Sequence, residues 1–131
     1  TSEWAGYVDS HIGGEDDQVL VGTMIENTRA VENIEEICAV PQLGFAFIGP
    51  ADLSMSMSDG EPLDKHPEQL QAAIDRTREA CLEAGVPVGR IHNDPADARQ
   101  AVDDGVQLLR LGGDTGAIRS VLGDRLAAVT E

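Results

Sequence analysis

Val19-Leu20-Val21-Gly22-Thr23-Met24-Ile25 is a run of apolar and small residues that ends at an acidic one, Glu26. A short apolar run without polar alternation is typical of a strand buried on both faces of a parallel sheet. From Ala30 to Cys38, apolar side chains recur three and four positions apart, which predicts a helix with one buried face. A strand followed by a helix is therefore the first unit of the fold.

The same unit recurs along the rest of the chain. Further apolar runs predict strands at 45–48, 86–91 and 106–111. Helical spacing predicts a long helix that Gly85 ends, and two more helices that begin at Asp94-Pro95 and at Asp114. A loop rich in Ser, Asp and Gly is expected from Ser54 to about Asp64.

Strands that alternate with helices at this spacing form right-handed βαβ units and a parallel sheet. Two α/β architectures fit the pattern: a small doubly wound domain, or part of a (β/α)8 TIM barrel, of which these four units would be half. Trp4 and Tyr7 indicate that residues 1–12 are the tail of a preceding helix. We therefore expect a single partial domain over residues 1–131, with four βα units from about 18 to 130.

The chain is strongly acidic, with 24 Asp and Glu against 9 Lys and Arg and a formal net charge of −15. Such a surface repels phosphate groups, which argues against nucleic-acid and anionic-membrane partners. No apolar stretch is long enough to span a bilayer and no secretory signal pattern is seen, so we expect a cytoplasmic protein. Lys65 is the only lysine, which suggests a halophilic protein; the alternative is an ordinary acidic cytosolic protein.

Three features predict structure rather than chemistry. Cys38 and Cys81 lie in separate helical patterns without a C-x-x-C pair, so both are expected to be small buried apolar residues. The glycine-rich segment 112–116 is similar to the phosphate-binding ends of some barrels, but a tight turn is the favoured interpretation. Glu15-Asp16-Asp17 is most simply a solvated turn, although acidic clusters also bind Ca²⁺ weakly.

Polar residues follow each predicted strand, where the chemistry of parallel α/β folds is found. Glu26 follows the first strand, Gly49-Pro50-Ala51-Asp52 the second, and His92 the third. Two carboxylates at the ends of adjacent parallel strands, about 4.8 Å apart, are placed to bind one hard cation such as Mg²⁺ or Mn²⁺. The alternative is that Glu26 caps the following helix and Asp52 caps a turn.

Two segments together carry a resemblance to a known family. Residues 24–33, Met-Ile-Glu-Asn-Thr-Arg-Ala-Val-Glu-Asn, followed by Phe47-Ile48-Gly49-Pro50-Ala51-Asp52-Leu53-Ser54, resemble the HpcH/HpaI aldolases. Ser2-Glu3-Trp4 and Leu111-Gly112-Gly113-Asp114 are also similar to segments of that family. The resemblance runs over essentially the whole chain but covers only the second half of the family's barrel.

The resemblance implies a class II, metal-dependent pyruvate aldolase, usually a hexamer, in a (β/α)8 barrel. In such enzymes the carboxylates matching Glu26 and Asp52 hold Mg²⁺, Mn²⁺ or Co²⁺. Gly49, Ala51 and Asp52 then shape the pyruvate pocket through their backbone, and the cation stabilises the enolate formed when a 4-hydroxy-2-oxo acid is cleaved to pyruvate and an aldehyde. The single Lys65, in a charged loop, makes a Schiff-base mechanism improbable.

The sequence also departs from the family's pattern. The family's carboxylate-binding Arg and base-positioning His lie in the first half of the barrel, so no catalytic residue is assigned here. Met24 stands where some members carry a Gln near the metal. His92 could face the aldehyde end of the substrate, or simply bond to nearby backbone. His11 and His66 are expected in loops.

Two alternatives remain beside the aldolase. One is a related citrate lyase β or malyl-CoA lyase type of enzyme, which uses similar paired carboxylates. The other is a non-catalytic fragment that binds metal and needs a partner half. In either case an isolated half-barrel exposes sheet edges and part of its core, so we expect a homo-oligomer or pairing with an N-terminal half-barrel.

Overall fold

The computed structural model of the protein describes residues 19–58 and 67–130. Several sequence predictions lie outside these residues. They are the helix tail at 1–12 with Ser2, Glu3, Trp4 and Tyr7, the turn at 15–17, His11, Lys65 and His66. All structural statements below concern the described ranges.

Four parallel strands alternate with helices in these ranges. The strands are β1 (Val21–Ile25), β2 (Leu43–Ile48), β3 (Val88–Ile91) and β4 (Leu108–Arg110). The helices are α1 (Thr28–Glu32), α2 (Ile34–Cys38), α3 (Pro50–Met57), α4 (Pro67–Ala84), α5 (Pro95–Asp103) and α6 (Asp114–Thr130). The strands form one sheet in the order β1-β2-β3-β4, with every neighbouring pair parallel. The predicted succession of βα units is confirmed.

Two of the predicted helix ends are also seen. Asp94 caps α5, since its carboxylate accepts hydrogen bonds from the amides of Ala96 and Asp97, with Pro95 as the first helical residue. Gly85 follows the end of α4 with φ of 70°, a left-handed conformation that glycine adopts without a steric penalty.

Two sequence predictions need correction. The single helix expected from Ala30 to Cys38 is divided at Asn33, whose φ and ψ of −100° and 21° separate α1 from α2. The loop expected from Ser54 is wrong as far as Met57, because α3 continues through these residues. Leu53, fully buried in the core, anchors this helix despite its polar composition.

One face of the sheet carries the hydrophobic core. Ile25, Ile48 and Val88 are each at most 1% exposed and pack against the helices. Side chains alternate between the two faces of a strand, so Phe47 and Leu108 lie on the opposite face. There they are only half-buried. The described part of the chain therefore has one sheet face that is covered by helices, the finished face, and one that is not, the open face.

No residue of helix α6 is buried within the described chain. Its large apolar side chains are between 49% and 84% exposed, and they are Ile118, Val121, Leu122, Leu126 and Val129. Their spacing of three and four residues places them along one stripe of the helix. No helix in the described ranges is long and apolar enough to cross a membrane.

Candidate functional site

Glu26 lies where β1 and β2 end together. Ile25 is opposite Ile48 in the sheet, and the amide of Gly49 donates to the carbonyl of Ile25 at 3.0 Å. A Cβ placed on Gly49 would lie 3.4 Å from Oε2 of Glu26 and 3.3 Å from Cε of Met24. The Glu26 carboxylate thus borders the first residue of the Gly49–Asp52 segment, in space that a larger residue at position 49 would begin to fill.

The Gly49–Asp52 segment is the first turn of α3. Gly49 is the N-cap and offers no side chain to the helix amides, while Pro50 has no amide hydrogen to satisfy. The amides of Ala51 and Asp52 belong to the first turn, where no intrahelical acceptor exists. The Asp52 side chain is exposed. This turn therefore offers two backbone donors and a carboxylate at the carboxyl edge of the sheet.

Two hydrogen bonds fix the segment after Glu26. The side chain of Asn27 accepts from the amide of Ala30 at 2.9 Å, so Asn27 is the N-cap of α1. The amide of Thr28 donates to Oγ of Ser56 in α3 at 3.2 Å. The alternative that Glu26 caps this helix is wrong, because Asn27 has that role and Glu26 has no part in it. An Asn directly before helical spacing was the signal for this cap.

The donor set suits a hard divalent cation. Carboxylate oxygens are the protein ligands that Mg²⁺ and Mn²⁺ prefer, and such ions commonly keep several waters beside one or two carboxylates. Within the described ranges no group of three or more His, Cys, Asp or Glu side chains is placed to hold a metal ion. Glu26 and Asp52 fit a site of the one- or two-carboxylate kind, with the remaining positions left to water or substrate.

His92 lies in a separate cluster, on the helix side of the sheet. Its side chain is 1% exposed, and its Nδ1 is 2.7 Å from Oδ2 of Asp97 in α5. It borders two cavities of about 330 and 220 Å³, and neither is lined by Glu26 or Asp52. The ring was expected to bond to nearby backbone, but its partner is the Asp97 carboxylate. Its Nε2 atom is buried and has no hydrogen-bond partner among the described residues.

Asp97 completes this cluster and was missed from the sequence. The hydrogen bond from His92 lowers the pKa of Asp97, and the nearby charge of Arg90, 3.4 Å away, lowers it further. Asp97 lies three residues after the N-cap Asp94, in the first turn of α5, where an acidic side chain also interacts favourably with the helix dipole. Its place in the first helical turn after a predicted N-cap was the sequence signal that could have identified Asp97.

Four parallel βα units with acidic side chains at the carboxyl edge of the sheet are typical of (β/α)-barrel enzymes. The family model described as HpcH/HpaI aldolase/citrate lyase matches residues 2–120. The chain therefore belongs to the HpcH/HpaI aldolase/citrate lyase family, a family of lyases, as its sequence motifs indicated.

Curated relatives and solved structures agree with this assignment. A hydroxypyruvate/pyruvate aldolase of Cupriavidus necator is 38% identical over 86% of this chain and 41% of its own length. A 2-keto-3-deoxy-L-rhamnonate aldolase of Klebsiella pneumoniae is 31% identical over 93% of this chain and 45% of its own length. The structure of an HpcH/HpaI aldolase/citrate lyase family protein from Burkholderia cenocepacia superposes with a TM-score of 0.82 at 28% identity, covering 96% of this chain and 48% of that one.

The share of each relative's length that this chain matches shows how much of the barrel it contains. The chain spans less than half the length of the curated relatives described above. Its parallel sheet superposes on about half of a barrel-type aldolase. The predicted fold class, half of a (β/α)8 barrel with four βα units, is confirmed.

Proposed function

We propose that this chain forms part of a class II pyruvate aldolase, in which Glu26 and Asp52 hold a divalent cation. The reaction is cleavage of a 4-hydroxy-2-oxo acid, such as a 2-dehydro-3-deoxy sugar acid, to pyruvate and an aldehyde. The observation that carries the proposal is the position of Glu26 beside Gly49, at the start of the turn that bears Asp52. The names of two relatives, a hydroxypyruvate/pyruvate aldolase and a 2-keto-3-deoxy-L-rhamnonate aldolase, support the substrate class.

The residues of this chain have separate parts in the proposal. Glu26 and Asp52 supply anionic oxygens, and a divalent cation bound there would provide Lewis-acid polarisation of a keto oxygen. The amides of Ala51 and Asp52 would hold a substrate carboxylate, since free first-turn amides favour a negative group. Gly49 leaves room for the Glu26 side chain beside this turn. Met24 borders the same space with an apolar side chain, so it donates no hydrogen bond there.

The rest of the active site must come from outside the described residues, so a partner surface is part of the proposal. We infer a homo-oligomer or pairing with an N-terminal half-barrel. The open sheet face with Met24, Phe47 and Leu108, and the exposed apolar stripe of α6, support this inference. Light scattering is expected to give a mass above that of one chain. A stable monomer with the same circular dichroism would contradict the pairing proposal.

Calorimetric titration with Mn²⁺ in concentrated KCl tests the metal site. Wild type is expected to bind saturably, and Glu26→Gln and Asp52→Asn are expected to lose that binding. Glu32→Gln is the matched control, because Glu32 is an exposed carboxylate in α1, on the same connection after β1. Equal loss of binding in Glu32→Gln, or unchanged binding in Glu26→Gln, would remove the proposed site.

Product assays distinguish the enzyme classes. Pyruvate release from a 4-hydroxy-2-oxo acid, measured with and without an N-terminal half-barrel, is the result expected for an aldolase. Cleavage of a CoA thioester instead would favour the citrate lyase β or malyl-CoA lyase type. Mn²⁺ binding without either activity would leave a metal-binding fragment that is not catalytic.

A further inference from the structure

Cys38 and Cys81 lie together in the core although they are far apart in the chain. Cys38 is the last residue of α2, Cys81 lies in α4, and their Sγ atoms are 3.7 Å apart. Both are free thiols, 8% and 0% exposed. Neither residue belongs to the candidate metal site or to the His92 cluster. The structure therefore contains a thiol pair without a part in the proposed lyase chemistry.

The distance places the two sulfurs in contact but not in a bond. A disulfide requires an S–S distance of about 2.05 Å, so the two atoms must approach by roughly 1.7 Å. Rotation of the two side chains, with any accompanying shift of α2, would have to supply this approach. Helix α2 has only five residues, and its last residue precedes the exposed stretch Ala39–Gln42.

We propose that Cys38 and Cys81 are a redox pair that a peroxide oxidises to an intrachain disulfide. Cys38 is the residue that meets the oxidant, because it is the more exposed of the two and ends a short helix. Cys81 is the resolving thiol, which reaches Cys38 from inside the core. This proposal is independent of the proposed aldolase function.

The reaction balances in two steps. In the first, the Cys38 thiolate attacks one peroxide oxygen, the O–O bond breaks, and a sulfenic acid forms as the departing hydroxide takes a proton to become water. In the second, the Cys81 thiol passes its proton to the departing oxygen as its sulfur attacks Sγ of Cys38, so the S–O bond breaks and water leaves. Two thiols lose two electrons and two protons, and hydrogen peroxide becomes two molecules of water.

The surroundings of the two thiols agree with this order. Burial raises the pKa of Cys81 to about 12, with a further contribution from the neighbouring Cys38, so Cys81 is the neutral thiol at ordinary pH. A neutral and fully buried thiol is poorly placed to meet a peroxide first, and Cys38 is the more exposed of the two. The new bond would tie α2 to α4 and close a loop that contains β2, α3 and Asp52 but not Glu26.

Oxidation of the folded wild-type chain tests the proposal. After treatment with hydrogen peroxide and unfolding, the number of alkylatable thiols should fall from two to zero and return to two on reduction. Mass spectrometry should show the loss of two hydrogens and a linked pair of peptides carrying Cys38 and Cys81. In Cys81→Ala, dimedone should trap a sulfenic acid on Cys38, whereas in Cys38→Ala, Cys81 should resist oxidation.

Three outcomes would overturn the proposal, and none depends on a variant that folds. The first is that both thiols of folded wild type stay free while other residues are oxidised. The second is a disulfide found only between chains. The third is an intrachain disulfide that forms no faster in the folded chain than in concentrated urea, since the proposal rests on the folded proximity of the two sulfurs.

Discussion

Replacement of Asp97 by alanine is expected to destabilise the fold, although Asp97 itself is not buried, because it removes the hydrogen-bond partner of a buried residue. Asp97 is half-exposed, but its carboxylate is the hydrogen-bond partner of His92, whose side chain is 1% exposed. Nε2 of His92 already has no hydrogen-bond partner in the part of the chain that the structure describes. In Asp97→Ala both ring nitrogens of a buried imidazole would therefore lack a hydrogen bond.

The size of the effect follows from these contacts. A buried polar group left without its partner costs about 1–3 kcal/mol. The pair between Asp97 and Arg90, at 3.4 Å and half-exposed, adds at most about 1 kcal/mol because solvent screens it. We expect Asp97→Ala to lower the free energy of unfolding by about 2 kcal/mol. Asp97→Asn keeps an oxygen that can accept from Nδ1–H, so its loss should be under about 1 kcal/mol.

Urea denaturation followed by far-UV circular dichroism measures the difference. With an m-value of about 1–3 kcal/mol/M, the midpoint of Asp97→Ala should fall by roughly 1 M relative to wild type. A second comparison isolates the cause: in a His92→Phe background, Asp97→Ala should cost less than about 1 kcal/mol, because no imidazole is left unpartnered. Equal costs in the two backgrounds, or equal costs for the alanine and asparagine variants, would refute the reasoning.

Two further predictions concern pH and packing. Because the folded-state pKa of Asp97 lies below its ordinary value, its stabilising contribution is present above about pH 4 and is lost as pH falls through the lowered pKa. The difference in free energy of unfolding between wild type and Asp97→Asn, measured by urea titrations, should therefore narrow in that acidic range. A difference that widens there would contradict the assignment. Gly89→Ala should lower the free energy of unfolding by about 1–3 kcal/mol through overpacking, since the new Cβ would lie 2.7 Å from Cβ and 3.0 Å from the carbonyl oxygen of Leu108. An unchanged urea midpoint would contradict this prediction. Gly116→Ala, where a Cβ meets nothing within 4 Å, is the control.

The sheet could be predicted from the sequence because its signals are local. Each strand is an apolar run, and a parallel arrangement follows once helices separate the runs. Helix α3 could not be recognised in this way, because its residues after Leu53 are mostly Ser and Met. It forms where Leu53 reaches the core and where Pro50 begins a helical turn. The core contact of Leu53 is a tertiary feature that composition does not contain, whereas Pro50 at the first helical position is a local signal.

The candidate metal site and the His92 cluster also differ in how far local sequence signals predict them. The approach of Glu26 to Gly49 was predictable, because residues that follow adjacent parallel strands meet at one edge of the sheet. The side of the sheet taken by His92 was also available from the sequence, since Val88 and His92 are an even number of residues apart and share a face. The partner of His92 was not, because it depends on where α5 packs. The contact between Cys38 and Cys81, 43 residues apart, likewise depends on how α2 packs against α4.

Side chains alternate between the two faces along β1, so the residue that supports the core and the residues near the candidate site lie on opposite faces. Ile25 points to the finished face and is fully buried, whereas Met24, on the opposite face, and Glu26 both approach Gly49. Glu26 contributes no helix cap and belongs to no ion pair given by the described residues, so Glu26→Gln removes a charge without removing a packing contact. The free energy of unfolding of Glu26→Gln should stay within about 0.5 kcal/mol of wild type, the range usual for surface substitutions. Loss of Mn²⁺ binding in that variant would then report on the site itself, whereas a large loss of stability would show that Glu26 supports the fold instead.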